Sequence, residues 1–404
     1  MKKVFDYVVI IVADQFQKKF LERKLLERKE KLFNGTKYKI EIEKEKVGSG
    51  GALIKLVRQI KKDGKKILVI NSAGKSSRMP LYADKGKICI PTFSGKNTIL
   101  FDEILEETIN IGENMNSGIL VVSGDCTINY KEVNNKVFKE NKVFSVLTDA
   151  KIGERHGVFL TDNNAKVKNS LQKEKENVLR EKGAIDKDNK VNIDTGMIYF
   201  NETMIEKLKK IDIDSNVIID LYTDIMYPLC LEANLNKYLF QKSEMKINEK
   251  LVNSRKKIWK AISDETLELE KLKSGKFVHY GTTKEFLEIA FKKNNKTNIV
   301  LDSNVKGDLT KRCYIENSTI LESAKIGENS VIIDSIVGCS IPKNLIVKTL
   351  EENGKYYVEI YNLKDNSRCI LGNKIHLLEN DKERACSKAM KIYNQKYATI
   401  KAKD

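Results

Sequence analysis

Continuous apolar runs punctuate the first two-thirds of the chain, and stretches of helical periodicity lie between them. Residues 7–13 (Tyr-Val-Val-Ile-Ile-Val-Ala) read as a buried strand, and residues 15–32 as a long helix of mixed polarity. Residues 52–60 predict a second helix and 67–71 a second buried strand. Asn97 is placed to cap a helix through Ile111, residues 118–123 form another apolar strand, and 143–147 follow. Strands apolar on both faces that alternate with helices belong to a parallel sheet covered on both sides. The predicted class is therefore α/β, doubly wound.

The pattern changes at Gly157. Residues 157–161 and 166–173 flank Asp162-Asn163-Asn164, a turn composition that predicts a hairpin. Residues 197–200 add a strand. Asn216 opens a helix expected to reach Tyr227, where Pro228 ends it. Residues 247–276 look helical and charged. Beyond Asn298 the composition shifts again: Ile320, Ile326 and Ile332 recur at intervals of six, and the stretch from Ala324 to Val331 has hexapeptide character. One inward apolar side chain per face of a three-sided coil requires that spacing, so a short parallel β-helix is expected, against an irregular β region. Three domains follow: 1–295, 296–350 for the coil, and 351–404 for terminal strands and a closing helix. Ending the chain near Asn298 is expected to cost assembly more than chemistry.

Composition narrows the function. With 404 residues, 41 % hydrophobic and 32 % charged, the chain is globular. No run of eighteen apolar residues predicts a membrane helix. Asp6 and Asp14 bracket residues 7–13 without a small-residue cleavage site, so that run reads as a strand rather than a signal peptide. The seven cysteines form no C-x-x-C pair, and His156, His279 and His376 are far apart in sequence. A reducing cytoplasm is expected, with no disulfide framework, zinc site or histidine-based metal cluster. The formal charge of +17 suits either a nucleic-acid binder or a lysine-rich surface with some lysines reserved for phosphorylated small molecules. No basic run is interleaved with aromatics, so nucleic acid is not the expected partner.

Candidate chemistry collects at strand ends. Asn71-Ser72-Ala73-Gly74-Lys75-Ser76-Ser77-Arg78-Met79-Pro80, then Lys85-Gly86-Lys87, follows the strand 67–71. Small side chains let backbone N–H groups approach phosphate oxygens, and Arg78 and Lys87 carry the charge a triphosphate needs. A surface loop with incidental lysines is the competing reading, and the spacing is not that of a Walker loop. Ser123-Gly124-Asp125 ends the strand 118–123, where a carboxylate suits magnesium; a turn-capping aspartate is the alternative. Asp220 and Asp224, four apart on the predicted helix, share a face, and on helix geometry alone a solvated acidic face is the plainer reading. Lys173 ends a strand and suits a phosphate monoester, or is simply exposed.

In these residues the chain resembles the nucleotide-sugar pyrophosphorylases, and most closely the L-fucose-1-phosphate guanylyltransferase family. The resemblance runs from about Phe5 to about Ala290. It is carried by Phe5-Asp6-Tyr7-Val8-Val9, Gly48-Ser49-Gly50-Gly51-Ala52-Leu53, residues 72–80 with Gly86-Lys87-Ile88, Asp194-Thr195-Gly196, residues 220–224, and Val278-His279-Tyr280-Gly281-Thr282-Thr283. It implies a Rossmann-like nucleotidyltransferase domain followed by a short left-handed parallel β-helix, and a reaction in which a sugar 1-phosphate and GTP give a nucleotide sugar and pyrophosphate. By the resemblance Asp125 and Asp224 hold Mg2+, with Asp220 as fallback. Arg78 clamps the β- and γ-phosphates, Lys87 the α-phosphate, and Lys173 the sugar phosphate. Gly48, Gly50, Gly51, Ala73, Gly74, Lys75, Ser76, Ser77 and Gly124 shape the nucleotide side, and Asp194, Thr195 and Gly196 the sugar side. Ala73 and Lys75 stand where the commoner signature has glycines. A homo-oligomer through the β-helix is a further expectation.

Overall fold

The structure is a computed structural model that describes residues 1–404 except 44, 61–63, 75, 77, 96, 135, 215, 244, 353, 364–373, 380 and 402–404. Lys75 and Ser77 therefore lie outside the described residues. The chain forms two compact units. One comprises Met1–Lys75, Lys85–Ile90 and Ile99–His279, the other Ser76–Asp84, Pro91–Thr98 and Tyr280–Asp404.

The first unit is a mixed α/β layer structure. Its strands are β1 (Tyr7–Val12), β2 (Lys37–Ile42), β3 (Lys66–Asn71), β4 (Gly118–Ser123), β5 (Cys126–Asn129), β6 (Asn141–Asp149), β7 (Gly157–Thr161), β8 (Val167–Gln172), β9 (Lys190–Phe200), β10 (Leu267–Lys271) and β11 (Lys276–His279). The main sheet runs β10-β6-β9-β4-β3-β1-β2, with β7 on β9 and β8 on β7. Strands β1 to β4 are parallel, as the continuous apolar runs of β1, β3 and β4 lead one to expect, with the alternating β2 at the edge, and β9 is antiparallel to β4 and β6. Residues 157–161 and 167–172 form the expected antiparallel hairpin.

Helix α1 (Gln15–Glu27) stops short of the expected residue 32, and a separate 3-10 turn covers Lys29–Lys31. Asp14 caps α1 by accepting from the N–H groups of Phe16 and Gln17. Helix α2 is Gly48–Gln59, and α3 is Leu100–Glu113. Asn97 does not cap α3: it adopts φ +54°, and the Asp102 carboxylate accepts the Ile99 N–H at 3.0 Å. Behind the sheet, Leu53, Ile54 and Val57 of α2 pack with Val69, Val121, Ile219 and Ile225 in one apolar core.

Two other expectations fail locally. Residues 216–227 are not one α-helix. Leu221–Met226 form a π-helical turn, capped by the Asp220 carboxylate on the N–H groups of Tyr222 and Thr223, and a 3-10 turn follows at Tyr227–Leu229. The charged segment 247–276 is helical only over Glu249–Ile262 and then supplies β10.

In the second unit short strands stack in parallel ladders. Ile299–Leu301 pairs with Tyr314–Glu316, which pairs with Val331–Ile333, which pairs with Leu345–Glu352. Asn304–Val305, Thr319–Ile320 and Ile336–Val337 form a second ladder, and Asp308–Leu309 with Lys325–Ile326 a third. Ile320, Ile326 and Ile332 are all fully buried, which is what their spacing of six requires. Side-chain bonds between successive strands of the ladders span 15 residues (Ser303 to Ser318) or 17 (Asn317 to Asp334). The antiparallel strands Lys355–Asn362 and Lys374–Glu379 follow, and the helix Lys382–Lys401 ends the described chain.

The segment Ser76–Asp84 belongs to this second unit and depends on it. Leu81 and Tyr82 are fully buried. The Tyr82 hydroxyl lies 3.0 Å from that of Tyr314, its ring stands edge-on to Phe286, and the buried Lys348 donates to the Leu81 carbonyl at 3.0 Å and pairs with Asp84. Ending the chain near Asn298 would strip Tyr314 and Lys348 from the stretch that carries Arg78, leaving Phe286, so its cost would not be confined to assembly.

Candidate active site

Three parallel strands of the first unit end level with one another. Ile11 is in register with Asn71, and Asn71 with Ser123. The crevice beyond such carboxyl ends is where an open α/β sheet binds ligands. Ser72-Ala73-Gly74 leaves β3 there, and Gly124-Asp125 leaves β4. The Gly124 N–H donates to the Asn71 carbonyl at 2.9 Å, and a Cβ on Gly124 would stand 2.7 Å from the Ser72 Cβ. Glycine is what lets the two turns touch.

Asp125 is the centre of charge. Ser123 Oγ donates to its Oδ1 at 2.7 Å, Lys87 Nζ donates to its Oδ2 at 3.0 Å, and His279 Nε2 lies 3.5 Å from the same oxygen. Burial acts to raise the carboxyl. The His279 contact, the Lys87 charge and the Ser123 bond outweigh it and hold Asp125 well below the usual carboxylate range. Asp125 is therefore a fixed anion, 30 % exposed, and fits one hard cation completed by substrate oxygens. Among the described residues no group of three or more His, Cys, Asp or Glu forms a preformed metal cage.

Lys87 reaches Asp125 from a 3-10 turn, Lys87–Cys89, entered through Gly86 at φ +81°. A Cβ there would lie 3.6 Å from the buried side chain of Gln17, whose Oε1 accepts the Ala13 N–H. The end of β1, the start of α1 and the Lys87 turn are thus joined. His279 arrives through β11, which pairs antiparallel with β5 and sets His279 opposite Cys126. His156 stands edge-on to both Phe277 and His279, its ring 6.4 Å from that of His279. The expectation that the histidines stay apart is thus wrong for this pair: β11 carries one back to the other. The 278–283 motif already contained His279, but nothing in its spacing gave it a role.

On the other side of β4 lies the segment 194–196 of β9. The Asp194 carboxylate accepts the Gly196 N–H at 2.8 Å, and Gly196, at φ +74°, leaves room for Ser123 and the Tyr222 hydroxyl. Gly157 packs against Asp194, and the Lys173 N–H donates to the His156 carbonyl at 3.1 Å. Lys173 is thereby tied to the residue before Gly157, with its side chain exposed. Thr195 departs from expectation: it is fully buried and donates to the Phe144 carbonyl at 2.6 Å, so it ties β9 to β6 rather than lining a pocket.

Three assignments need correction or restraint. Asp224 is fully buried, its Oδ1 accepts from Arg255 Nε at 2.8 Å and its Oδ2 from the Asp220 N–H at 2.8 Å. With no exposed surface and a buried guanidinium as its partner, it does not fit a metal ligand, whereas Asp125 is part-exposed. The fallback, Asp220, spends Oδ1 on the π-turn, and its charge is felt by Asp194. Gly48, Gly50 and Gly51 do not cradle a nucleotide either. The Gly48 N–H donates to Glu43 and those of Gly50 and Gly51 to the Ile219 carbonyl, while a Cβ at Gly48 would strike that carbonyl at 2.5 Å. They let α2 pack against residues 218–220. Arg78 is exposed and lies in the second unit, where its carbonyl accepts from Thr283 N–H; Ser76, at φ +44°, lies there too. Ala73 is partly buried against the core, and Gly74, at φ +148°, has open space around it.

Arg255 also donates to the carbonyls of Leu239 and Gln241, so Asp224→Ala leaves a buried guanidinium without its counter-charge. The expected loss is roughly 3–5 kcal/mol of unfolding free energy, read by denaturant titration; a loss below about 1 kcal/mol would contradict the structural role. Asp194 makes a pH prediction. Burial first, then the Asp220 charge, pushes its carboxyl up to about 7. Between about pH 4 and 7 the folded chain keeps a proton that the unfolded chain releases, so this group costs stability as pH rises through that window. Asp194→Asn should therefore gain on wild type in unfolding free energy as pH rises from 4.5 to 8, by an amount on the order of 3 kcal/mol at the upper end, read by denaturant titration at each pH. A pH-independent difference would refute it.

Residues 61–391 match the fucose pyrophosphorylase domain. The fucose-1-phosphate guanylyltransferase of Homo sapiens is 23 % identical over 444 aligned residues, which cover 90 % of this chain and 72 % of that protein. The fucose-1-phosphate guanylyltransferase of Mus musculus is 22 % identical over 455, covering 94 % and 76 %. Among solved structures, HddC from Yersinia pseudotuberculosis complexed with GMP-PN aligns at 9 % identity with a TM-score of 0.32, over 71 % of this chain and 98 % of that one, a likeness too slight to carry an argument. No helix among the described residues is long and apolar enough to cross a membrane. On the match that spans most of its length, this chain belongs to the fucose pyrophosphorylase domain family.

Proposed function

We propose that the protein is a sugar-1-phosphate guanylyltransferase that converts GTP and β-L-fucose 1-phosphate to GDP-L-fucose and pyrophosphate. The observation that carries this reading is the Lys87–Asp125 pair at the carboxyl end of β4 in a chain of this family. A phosphate oxygen of the sugar 1-phosphate attacks the α-phosphorus of GTP. The new O–P bond forms as the bond to the bridging oxygen of the β-phosphate breaks, and pyrophosphate leaves with that electron pair. No proton transfer is required, so positioning and charge neutralisation carry the rate.

Lys87 is assigned to the α-phosphate. Asp125 is assigned to Mg2+, which when bound neutralises phosphate charge at the reacting centre. Ala73, Gly74, Lys75, Ser76 and Ser77 are assigned to the nucleotide, with Gly124 shaping the turn beside them. Asp194 and Gly196 line the sugar side and Lys173 meets the sugar phosphate. Arg78 is assigned to the β- and γ-phosphates on the family resemblance alone. The ladders of residues 299–352 are read as a left-handed β-helix, a surface for self-association, within the division 1–295, 296–350 and 351–404. A cytoplasmic setting fits an enzyme with free thiols and phosphorylated substrates.

Pyrophosphate release from a panel of triphosphates and sugar 1-phosphates tests the substrate pair. GTP with β-L-fucose 1-phosphate should be fastest; a faster pair would reassign sugar or base, since one polar contact can set that choice. Ligand-dependent stabilisation without turnover would instead favour a silent nucleotide-sugar-binding protein. Asp125→Asn should lower kcat by at least about 10²-fold with little change in Tm, because it removes a charge from the site and nothing from the core. Near-wild-type turnover would sink the assignment of Asp125.

A further inference from the structure

A cation at Asp125 leaves room for a second protein donor beside the substrate oxygens, and the carboxylate expected for that task, Asp224, is buried against Arg255 and the Asp220 N–H. The group that does reach the site is an imidazole. His279 Nε2 lies 3.5 Å from Asp125 Oδ2. Two neighbouring donors on one octahedral ion of bond length about 2.1 Å stand roughly 3 Å apart. The pair therefore needs a shift of about half an ångström to share an ion. The imidazole is also held in place. Antiparallel pairing sets His279 opposite Cys126, its ring is parallel to Phe277 at 6.4 Å, and His156 closes the edge of both rings. Such outer packing fixes the direction in which a metal-ligating histidine points.

We propose that His279 is the second protein ligand of the cation at Asp125, so that the site is a mixed nitrogen–oxygen one that holds a first-row transition ion such as Mn2+ more tightly than Mg2+. The inference rests on the reading of Asp125 as a cation ligand and deepens it. The remaining positions belong to phosphate oxygens and water, which agrees with the lack of any three-donor cage among the described residues. Magnesium prefers oxygen and gains little from an imidazole, whereas Mn2+ gains from both donors. Lys87 shares Asp125 Oδ2 with His279, so when a cation takes that oxygen the ammonium group is released toward the phosphates.

The test uses the full chain with Mn2+, and with Mn2+ plus pyrophosphate, neither of which contains nitrogen. Free Mn2+ is followed by its electron paramagnetic resonance signal, Mg2+ by competition, and the bound ion by pulsed resonance for coupling to imidazole ¹⁴N. Expected are Mn2+ binding at least about 10-fold tighter than Mg2+, and a ¹⁴N coupling that changes to ¹⁵N when the protein carries [¹⁵N]histidine. His279→Gln should remove the coupling and weaken Mn2+ by about 10-fold or more, while His156→Gln retains the coupling. If Asp125→Asn weakens Mn2+ but wild type shows no histidine coupling, the inference is overturned while the role of Asp125 stands. If Asp125→Asn leaves Mn2+ affinity unchanged, both fail. Loss of the coupling in His156→Gln alone assigns the nitrogen to His156 and overturns the inference. The isotope experiment needs no substitution, so misfolding of a variant cannot hide the outcome.

Discussion

The register of three parallel strands places everything in the site. Because Ile11, Asn71 and Ser123 lie level, the chains leaving β3 and β4 emerge side by side. Their turns then approach closely enough that a single methyl group on Gly124 would collide with Ser72. A slip of one residue would carry Ser123 to the opposite face of the sheet and remove the donor that fixes Asp125 Oδ1. The apolar runs of β1, β3 and β4 make such a slip costly, since the strands are buried on both faces. Core packing thereby becomes positional precision for one carboxylate, and that carboxylate stays charged because three donors surround it.

The acidic pair at residues 220 and 224 shows the same physics put to a different use. A spacing of four on a regular helix would point both carboxylates the same way. The π-turn changes the geometry: Asp220 folds back to cap the turn it begins, and Asp224 is drawn inside to meet Arg255. A buried ion pair is poor evidence of net stabilisation, but it is strong evidence against a second duty here, because neither Asp224 nor Arg255 has any surface open to a ligand. Glu43 and the Ile219 carbonyl similarly consume the N–H groups of the glycine turn. Residue types that suit ligand chemistry serve here to bring α2 and the π-turn together.

What was legible in the sequence follows from this distinction. Strands 118–123 and 67–71 were readable because continuous burial on both faces leaves one local solution, and the burial of Ile320, Ile326 and Ile332 because an even apolar spacing marks positions that face inward. That Asp125 and the Lys87 loop leave neighbouring strand ends was readable, but their direct contact was not. The π-turn was not readable, since a helix and a π-turn share hydrophobic spacing over six residues. Nor was the Asp125–His279 contact. It joins positions some 150 residues apart through the antiparallel pairing of two four-residue strands, β5 and β11, too short to announce themselves by periodicity. Asn97 looked like a cap because its residue type favours one, but α3 has an internal carboxylate, Asp102, already placed on the Ile99 N–H.

The charge arrangement around Asp125 has a chemical consequence for the proposed reaction. Two nitrogen groups, Lys87 Nζ and His279 Nε2, address the same oxygen, Oδ2, while Oδ1 is held by Ser123. One carboxylate oxygen cannot satisfy an ammonium group, an imidazole and a cation equally, and the ammonium group is the one on a flexible stem. A triphosphate offers Lys87 several anionic oxygens in place of one. In the proposed reaction, substrate and cation would favour each other through Lys87, since a phosphate that drew the ammonium group off Asp125 would leave Oδ2 to a cation. The same cationic and hydrogen-bonding groups explain how a partly buried Asp125 stays ionised: the His279 contact, the Lys87 charge and the Ser123 bond outweigh the cost of its burial.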